Sequence, residues 1–250
     1  MDRSLFSRLT FCLFTICLVC SCASTRIIRK ERIYPRSSTD SIITILHDKV
    51  NNFQELKGRF SVHVVKPGFD VTFEGIFLLK KNGFMQLEVY SPFGILTHLL
   101  VIDGDRFRLV GQEENIEGNT FTPLEAFNNH WGIVVAPYHI LALFAGSLID
   151  PYFYRFTGEA YLNEAGMLRL PIVCRQNKLT ESLYYDSSQQ RIINREIPTA
   201  QENDPITVEY TYDQPGSAVP NRIDVFQEKR RVKLIVTLSH LVFNTTDSQH

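Results

Sequence analysis

Gly58-Arg59-Phe60-Ser61-Val62-His63-Val64-Val65 and, a turn later, Val71-Thr72-Phe73-Glu74-Gly75-Ile76-Phe77 decide how this chain folds. Apolar and polar residues alternate in both: Phe60, Val62 and Val64 fall on one side, Ser61 and His63 on the other, and Val71, Phe73 and Phe77 oppose Thr72 and Glu74. A period of two is the signature of strands with one face buried. Pro67-Gly68, Asn82-Gly83, Pro92-Phe93-Gly94 and Asp103-Gly104 punctuate this run and the next ones. None of these gaps is long enough for the crossover that a parallel pair requires, so the strands must be antiparallel.

The pattern extends on both sides. Upstream, Asp40 can cap a helix whose apolar positions Ile42, Ile43, Leu46, Val50 and Phe53 recur at intervals of three and four. Downstream, the alternation breaks between Thr122 and Ile149. Pro123 to Phe127 suggests a short helix, and Pro137 to Leu148 a second, with Ile140, Leu141, Leu143 and Phe144 and hardly a charge. A segment that apolar must cover an apolar surface, as a lid or plug. Strands resume from Tyr152 to Phe156 and continue to Val232–Phe243. The expected fold is mainly β within an α+β class: an unclosed antiparallel β-barrel of about eleven strands, with an N-terminal helix and a helical lid.

The first residues read as an address. Arg3 and Arg8 precede an apolar stretch from Leu9 to Val19, too short to span a bilayer comfortably, and Ser21 stands just before Cys22. This resembles the lipobox of a bacterial lipoprotein, with Cys22 as the lipidation site and first mature residue. Bulky Val19 makes Cys20 the poorer candidate. The expected organisation is a signal peptide at 1–21, a polar tether at 22–39 and one folded domain at 40–250. Ala23 in second place, rather than aspartate, resembles lipoproteins sent on to the outer membrane of Gram-negative bacteria. That implies a lipid-anchored protein facing the periplasm.

Composition narrows the chemistry. With 26 Lys and Arg against 27 Asp and Glu in 250 residues, no net field exists to hold nucleic acid. Four of the five cysteines crowd residues 12–22, leaving Cys174 alone in the body, which excludes a disulfide framework. The chain lacks a Gly-x-Ser-x-Gly elbow, a His-Glu-x-x-His motif, two paired Cys-x-x-Cys motifs and a glycine-rich phosphate loop. Glu113, Glu114 and Glu117 read as a solvated turn, and His63 and His98 as ordinary strand residues. No catalytic residue, metal site or cofactor is expected, and the protein is not expected to be an enzyme.

One loop resists a bland account. Ser91-Pro92-Phe93-Gly94-Ile95-Leu96 joins two strands, and a proline-led turn places Phe93 at the tip with nothing local to bury it. Such a tip either folds back on the sheet edge or meets lipid or protein.

On these residues the chain resembles the outer-membrane lipoprotein receptor family LolB, within the LolA/LolB-like lipoprotein-sorting fold. The resemblance runs from Asn52-Phe53-Gln54-Glu55-Leu56-Lys57-Gly58-Arg59-Phe60 through Phe73–Lys80 and Leu87-Glu88-Val89-Tyr90-Ser91-Pro92-Phe93-Gly94, where the family has a Pro-Leu-Gly turn. It takes in the Pro137–Leu148 segment and the terminal pair around Pro220–Ile223 and Arg231–Leu234, and is weak from Asp150 to Val219. It implies a receptor that takes lipoprotein cargo from a LolA-like periplasmic carrier, holds its acyl chains and places it among outer-membrane lipids. The membrane-insertion loop would be Pro92, Phe93 and Gly94. Phenylalanine for leucine at the tip is a departure, as is the lack of a tryptophan in the second strand, where Phe77 or Leu78 stands and Trp131 is the sole tryptophan. These departures leave room for a paralogue with a different lipid cargo.

Exposing one sixteen-carbon chain to water costs on the order of 13 kcal/mol at about 0.8 kcal/mol per methylene. A carrier must replace that burial with several hundred Å² of its own apolar lining, at about 25 cal/mol per Å². Phe60, Val62, Phe73, Phe77, Met85, Leu87 and Val89, with Leu141 and Phe144 from the lid, could supply it. The same residues could equally form a closed core, because alternation does not reveal whether the inside is full. A non-enzymatic envelope assembly lipoprotein, using the same half-barrel to grip a protein or another lipid partner, is the alternative.

Overall fold

The computed structural model describes residues 32–81, 83–111, 115–123, 132–147, 153–163, 166–176, 178–199, 204–215 and 217–245. Short β1 (Arg32–Ile33) precedes helix α1 (Arg36–Asn52), and the chain then runs through β2 (Phe53–Lys66), β3 (Phe69–Lys80), β4 (Phe84–Tyr90), β5 (Leu96–Asp103), β6 (Arg106–Gly111) and β7 (Asn115–Asn119). Helix α2 (Pro137–Ala145) interrupts the strands. The second half comprises β8 (Tyr154–Phe156), β9 (Tyr161–Leu162), β10 (Leu168–Cys174), β11 (Thr180–Asp186), β12 (Arg191–Ile197), β13 (Ile206–Thr211), β14 (Arg222–Gln227) and β15 (Val232–Thr245).

All fifteen strands belong to one sheet, ordered β1-β9-β10-β11-β12-β13-β14-β15-β2-β3-β4-β5-β6-β7, with β8 paired to β10 beside the path. The pairings are antiparallel, as the short turns require. The order has two separate ends, so the sheet is an unclosed barrel. Its middle is the long β15–β2–β3 ladder, where Val236 faces Val62 and Val62 faces Phe73. This joins the last strand to the first long one. The strands not foreseen are β1 and β9, with two residues each, too few to show alternation, and β7, whose Asn115-Ile116-Glu117-Gly118-Asn119 has a single apolar residue and places Glu117 in a strand, not a turn.

Helix α1 begins at Arg36, not Asp40, so four residues assigned to the tether are helical, and Phe53 opens β2 instead of closing the helix. Pro35 occupies the N-cap position, where its fixed φ suits a helix start. Ile42, Leu46 and Val50 are buried along one stripe, as their spacing dictates. The inward positions of β2, β3, β4 and β5, among them Phe60, Val64, Phe77, Met85, Leu87, Leu100 and Ile102, join the same core.

Gly75 marks the closest approach within this core. A Cβ there would lie 2.4 Å from Cζ of Phe60 and 2.0 Å from the Glu88 carbonyl oxygen. Without a Cβ at this position the Phe60 ring can approach the β3 backbone closely.

Candidate functional site

Three features stand out: the ground beneath α2, the Phe93 turn and a buried charged cluster. All nine residues of α2 are buried, consistent with a segment almost free of charge. Its Phe144 ring meets Phe60 edge-on, with centroids 5.6 Å apart and planes at 89°, and meets Phe77 at 5.0 Å and 63°. Such tilted contacts favour aromatic rings beyond their area burial.

Of the residues expected to line an acyl cavity, Phe60, Val62, Phe77, Met85, Leu87, Val89, Leu141 and Phe144 are buried in one cluster, and Phe73 is half-buried at its margin. The structure brings them together on the inside of the sheet, with α2 packed into their midst. Among the described residues these side chains pack against one another and against α2, with Phe144 touching both Phe60 and Phe77.

The turn at residues 91–95 is built by its own hydrogen bonds. The Gly94 N–H donates to the Ser91 carbonyl at 2.9 Å, the Ser91 N–H to the Ile95 carbonyl at 2.8 Å, and the Ile95 N–H to Ser91 Oγ at 3.2 Å. Gly94 takes a φ of 75°, open to glycine at little cost. Phe93 is 89% exposed, and Ile95 and Leu96 beside it are 60% and 46% exposed. The tip does not fold back onto the sheet. A groove of about 860 Å³ runs past it along the outer wall, with Arg59, Glu74, Ile76, Tyr90, Pro92 and His240 among its lining residues.

The third feature escaped the sequence reading. Glu181 on β11, Arg195 on β12 and His139 on α2 are all essentially excluded from solvent. Arg195 Nε donates to Glu181 Oε2 at 2.6 Å, and its Nη2 donates to the Tyr154 hydroxyl. From α2, the Tyr138 hydroxyl donates to Glu181 Oε1 at 3.4 Å, and His139 Nε2 stands 3.4 Å from the same oxygen. His139 Nδ1 accepts the Ala136 N–H at 3.3 Å, which leaves the neutral ring's proton on Nε2, facing the carboxylate. Burial would push the Glu181 carboxyl up, but the Arg195 guanidinium, helped by His139, outweighs it and holds the group down at about 2. Burial pushes His139 below its ordinary value and raises the Tyr210 hydroxyl to about 12. The signal was present in outline: His139 and Tyr138 are polar intrusions in an apolar helix, and Arg195 falls in phase with buried Ile197.

The remaining expectations distribute as follows. Cys174 is a free, buried thiol in β10, packed as a small apolar residue. His63 Nε2 lies 2.7 Å from Asp70 Oδ1 with both side chains substantially exposed. Cys22 with the whole of residues 1–31, the short helix expected at 123–127 beyond residue 123, Glu113, Glu114 and Trp131 lie outside the described residues. Among the described residues, no group of three or more His, Cys, Asp or Glu side chains is placed to hold a metal ion, and no helix is long and apolar enough to cross a membrane.

No protein-family model matches the chain, and no curated protein matches it by sequence. Solved structures do match by shape. A LolA superfamily protein from Nitrosomonas europaea superposes with a TM-score of 0.54 at 13% identity, covering 80% of this chain and 92% of that one. A domain assigned to outer membrane lipoprotein sorting, from Vibrio parahaemolyticus, gives 0.58 at 9% identity over 81% and 91%. A DUF1329 family protein from Desulfovibrio piger gives 0.56 at 9% identity over 83% and 92%. Identities this low speak for fold alone. The unclosed antiparallel barrel with a helix across its inner face is the LolA/LolB-like fold.

Proposed function

We propose that this protein is an outer-membrane-anchored lipoprotein receptor, lipidated at Cys22, that binds acyl chains of lipoprotein cargo and inserts the cargo into the membrane. The observation that carries the reading is the Phe93 turn, a hydrogen-bonded loop that leaves an aromatic ring 89% exposed. A ring so placed gains by leaving water for lipid. The apolar α2, seated on Phe60 and Phe77, supports the second half of the reading, because a helix of that composition covers a surface on which hydrocarbon could take its place. Gly132 and Gly146 flank it with φ of 77° and 59°, positions where the backbone turns into and out of the helical segment.

The reaction is transfer without bond breaking, so it needs no nucleophile, metal or cofactor. Its partners are a LolA-like periplasmic carrier that delivers the cargo, the cargo itself and the outer-membrane lipids that receive it. Native mass spectrometry of the mature, membrane-extracted protein tests the reading. We expect adducts with the mass of a diacylated or triacylated ligand, beyond the protein's own lipid. Protein recovered bare in conditions that retain lipid on other carriers overturns it.

A second reading has an observation of its own. Every residue of α2 is buried in the common core, which would suit a half-barrel that serves an envelope assembly as a module and grips a protein partner on its outer wall. That reading expects no uptake of an acyl probe.

A further inference from the structure

The cluster beside α2 buries an ion pair within a largely apolar interior. A fully buried ion pair contributes little net stability compared with apolar residues of the same volume, and burying it leaves an obligation to satisfy every remaining donor. That obligation is not met here. Among the described residues, Arg195 Nη1 and the Tyr210 hydroxyl that interacts with this guanidinium are both buried without a hydrogen bond of good geometry, and His139 Nε2 makes none at 3.4 Å from Glu181. Tyr138 and His139 reach the cluster from α2, while Tyr154, Glu181, Arg195 and Tyr210 reach it from β8, β11, β12 and β13.

We infer that this cluster is a binding site for the neutral carbonyl oxygens at the root of an acyl ligand, the ester or amide that joins chain to headgroup, exposed when α2 gives up its place. The inference rests on the acyl-binding reading above. Geometry supplies the first argument. His139 and Phe144 are five residues apart on α2, about 8 Å along the axis. A ligand that replaces the helix with its tail over Phe60 and Phe77 therefore brings its linkage oxygens to the level of Arg195. Charge supplies the second. Glu181 already neutralises Arg195 at 2.6 Å, so an anionic headgroup would add an uncompensated buried charge, whereas a carbonyl oxygen accepts the spare Nη1–H and adds none. The departure of Tyr138 and His139 also frees Glu181 Oε1, which a hydroxyl or amide N–H of the ligand can occupy.

The test compares 1-monopalmitoylglycerol with 1-O-hexadecylglycerol, which match in chain length but differ in the carbonyl. Both displace a fluorescent fatty acid from the full mature chain, carrying Cys22→Ser so that no detergent is needed. We expect the ester to bind about tenfold more tightly than the ether, as a hydrogen bond from a charged donor warrants. The joint substitution Glu181→Leu and Arg195→Met should abolish the preference for ester over ether, any loss of hydroxyl contacts falling on both probes alike. Should that pair not fold, Arg195→Lys, which retains charge without the fork, should shrink the preference at least threefold. Equal affinity for ester and ether in the parent chain overturns the inference while leaving acyl binding intact, and so does a preference that survives these substitutions. Binding of neither probe overturns the acyl-binding reading together with the inference. A diacylglyceryl lipopeptide and a diacyl phospholipid with the same chains then separate the two sources of such carbonyls, the tighter ligand naming the source.

Discussion

Phe144, from the helix across the inner face, meets Phe60 of β2 edge-on, with centroids 5.6 Å apart and planes at 89°. That contact is the seat of α2, and it joins the stability of the domain to any exchange of the helix for a ligand.

Truncation at that seat separates the two effects. Phe144→Ala should cost about 3–5 kcal/mol in urea unfolding, through lost transfer energy and the cavity left behind. The same variant should show increased uptake of an environment-sensitive acyl probe, because the void adjoins Phe60 and Phe77. A destabilised variant with no gain in uptake would mean that the space under α2 is not where hydrocarbon goes.

Gly75→Ala attacks the same seat from the strand side. The added methyl collides with the Phe60 ring and the Glu88 carbonyl, so we expect a loss of about 1–3 kcal/mol from overpacking, with altered near-ultraviolet circular dichroism of the aromatic cluster. An unchanged unfolding midpoint would show that Phe60 can move aside without consequence.

Phe93→Glu tests the exposed tip. Since the ring contacts solvent and its loop is held by backbone bonds from Ser91, Gly94 and Ile95, unfolding should change by no more than about 0.5 kcal/mol. Delivery of a lipoprotein to liposomes should fall to background. Delivery at the parental rate removes any special role for the turn.

Acid should destabilise the domain in two stages. His139 lies below its ordinary value of 6.5 when folded, so as pH falls through 6.5 the unfolded chain takes up a proton that the folded chain resists, and stability declines. Glu181 is held near 2 against an ordinary 4.5, so its contribution is fully present above about 4.5 and is lost as pH falls from there towards 2. Urea midpoints should fall from pH 7 to pH 5, and His139→Gln should flatten that interval. A parental midpoint that is level from pH 7 to pH 5 contradicts a buried neutral His139.

The ion pair itself yields a thermodynamic cycle. Glu181→Gln leaves the Arg195 charge buried and uncompensated and should cost about 3–5 kcal/mol, whereas replacing both residues with apolar ones of similar volume should cost much less. Additive losses in the double variant would mean that the two side chains act independently, which their 2.6 Å contact does not allow.

Much of the fold was legible along the chain, because alternation at Phe60, Val62 and Val64 and the turn residues at 67–68, 92–94 and 103–104 act locally, through pleat and φ. The stripe of Ile42, Leu46 and Val50 and the mostly apolar, uncharged run of the 137–145 segment were readable for the same reason. That Phe93 stands at the tip of a proline-led turn was legible too, whereas its staying in solvent instead of folding back on the sheet edge was not, because that depends on the neighbouring surface. The start of α1 at Arg36 was not, because neither Pro35 nor the polar residues of its first turn supply the apolar periodicity by which a helix is seen.

Two things were decided only by the folded structure. Whether the inner face is hollow or filled depends on where α2 comes to rest, and alternation at Phe60 and Phe77 is the same whether the ring of Phe144 or a hydrocarbon chain lies against them. The meeting of His139, Glu181 and Arg195 depends on a helix docking against strands forty and more residues further on. Each of these side chains looks ordinary in its own segment, and the energy of a buried charge exists only once the partner and the exclusion of water are both in place.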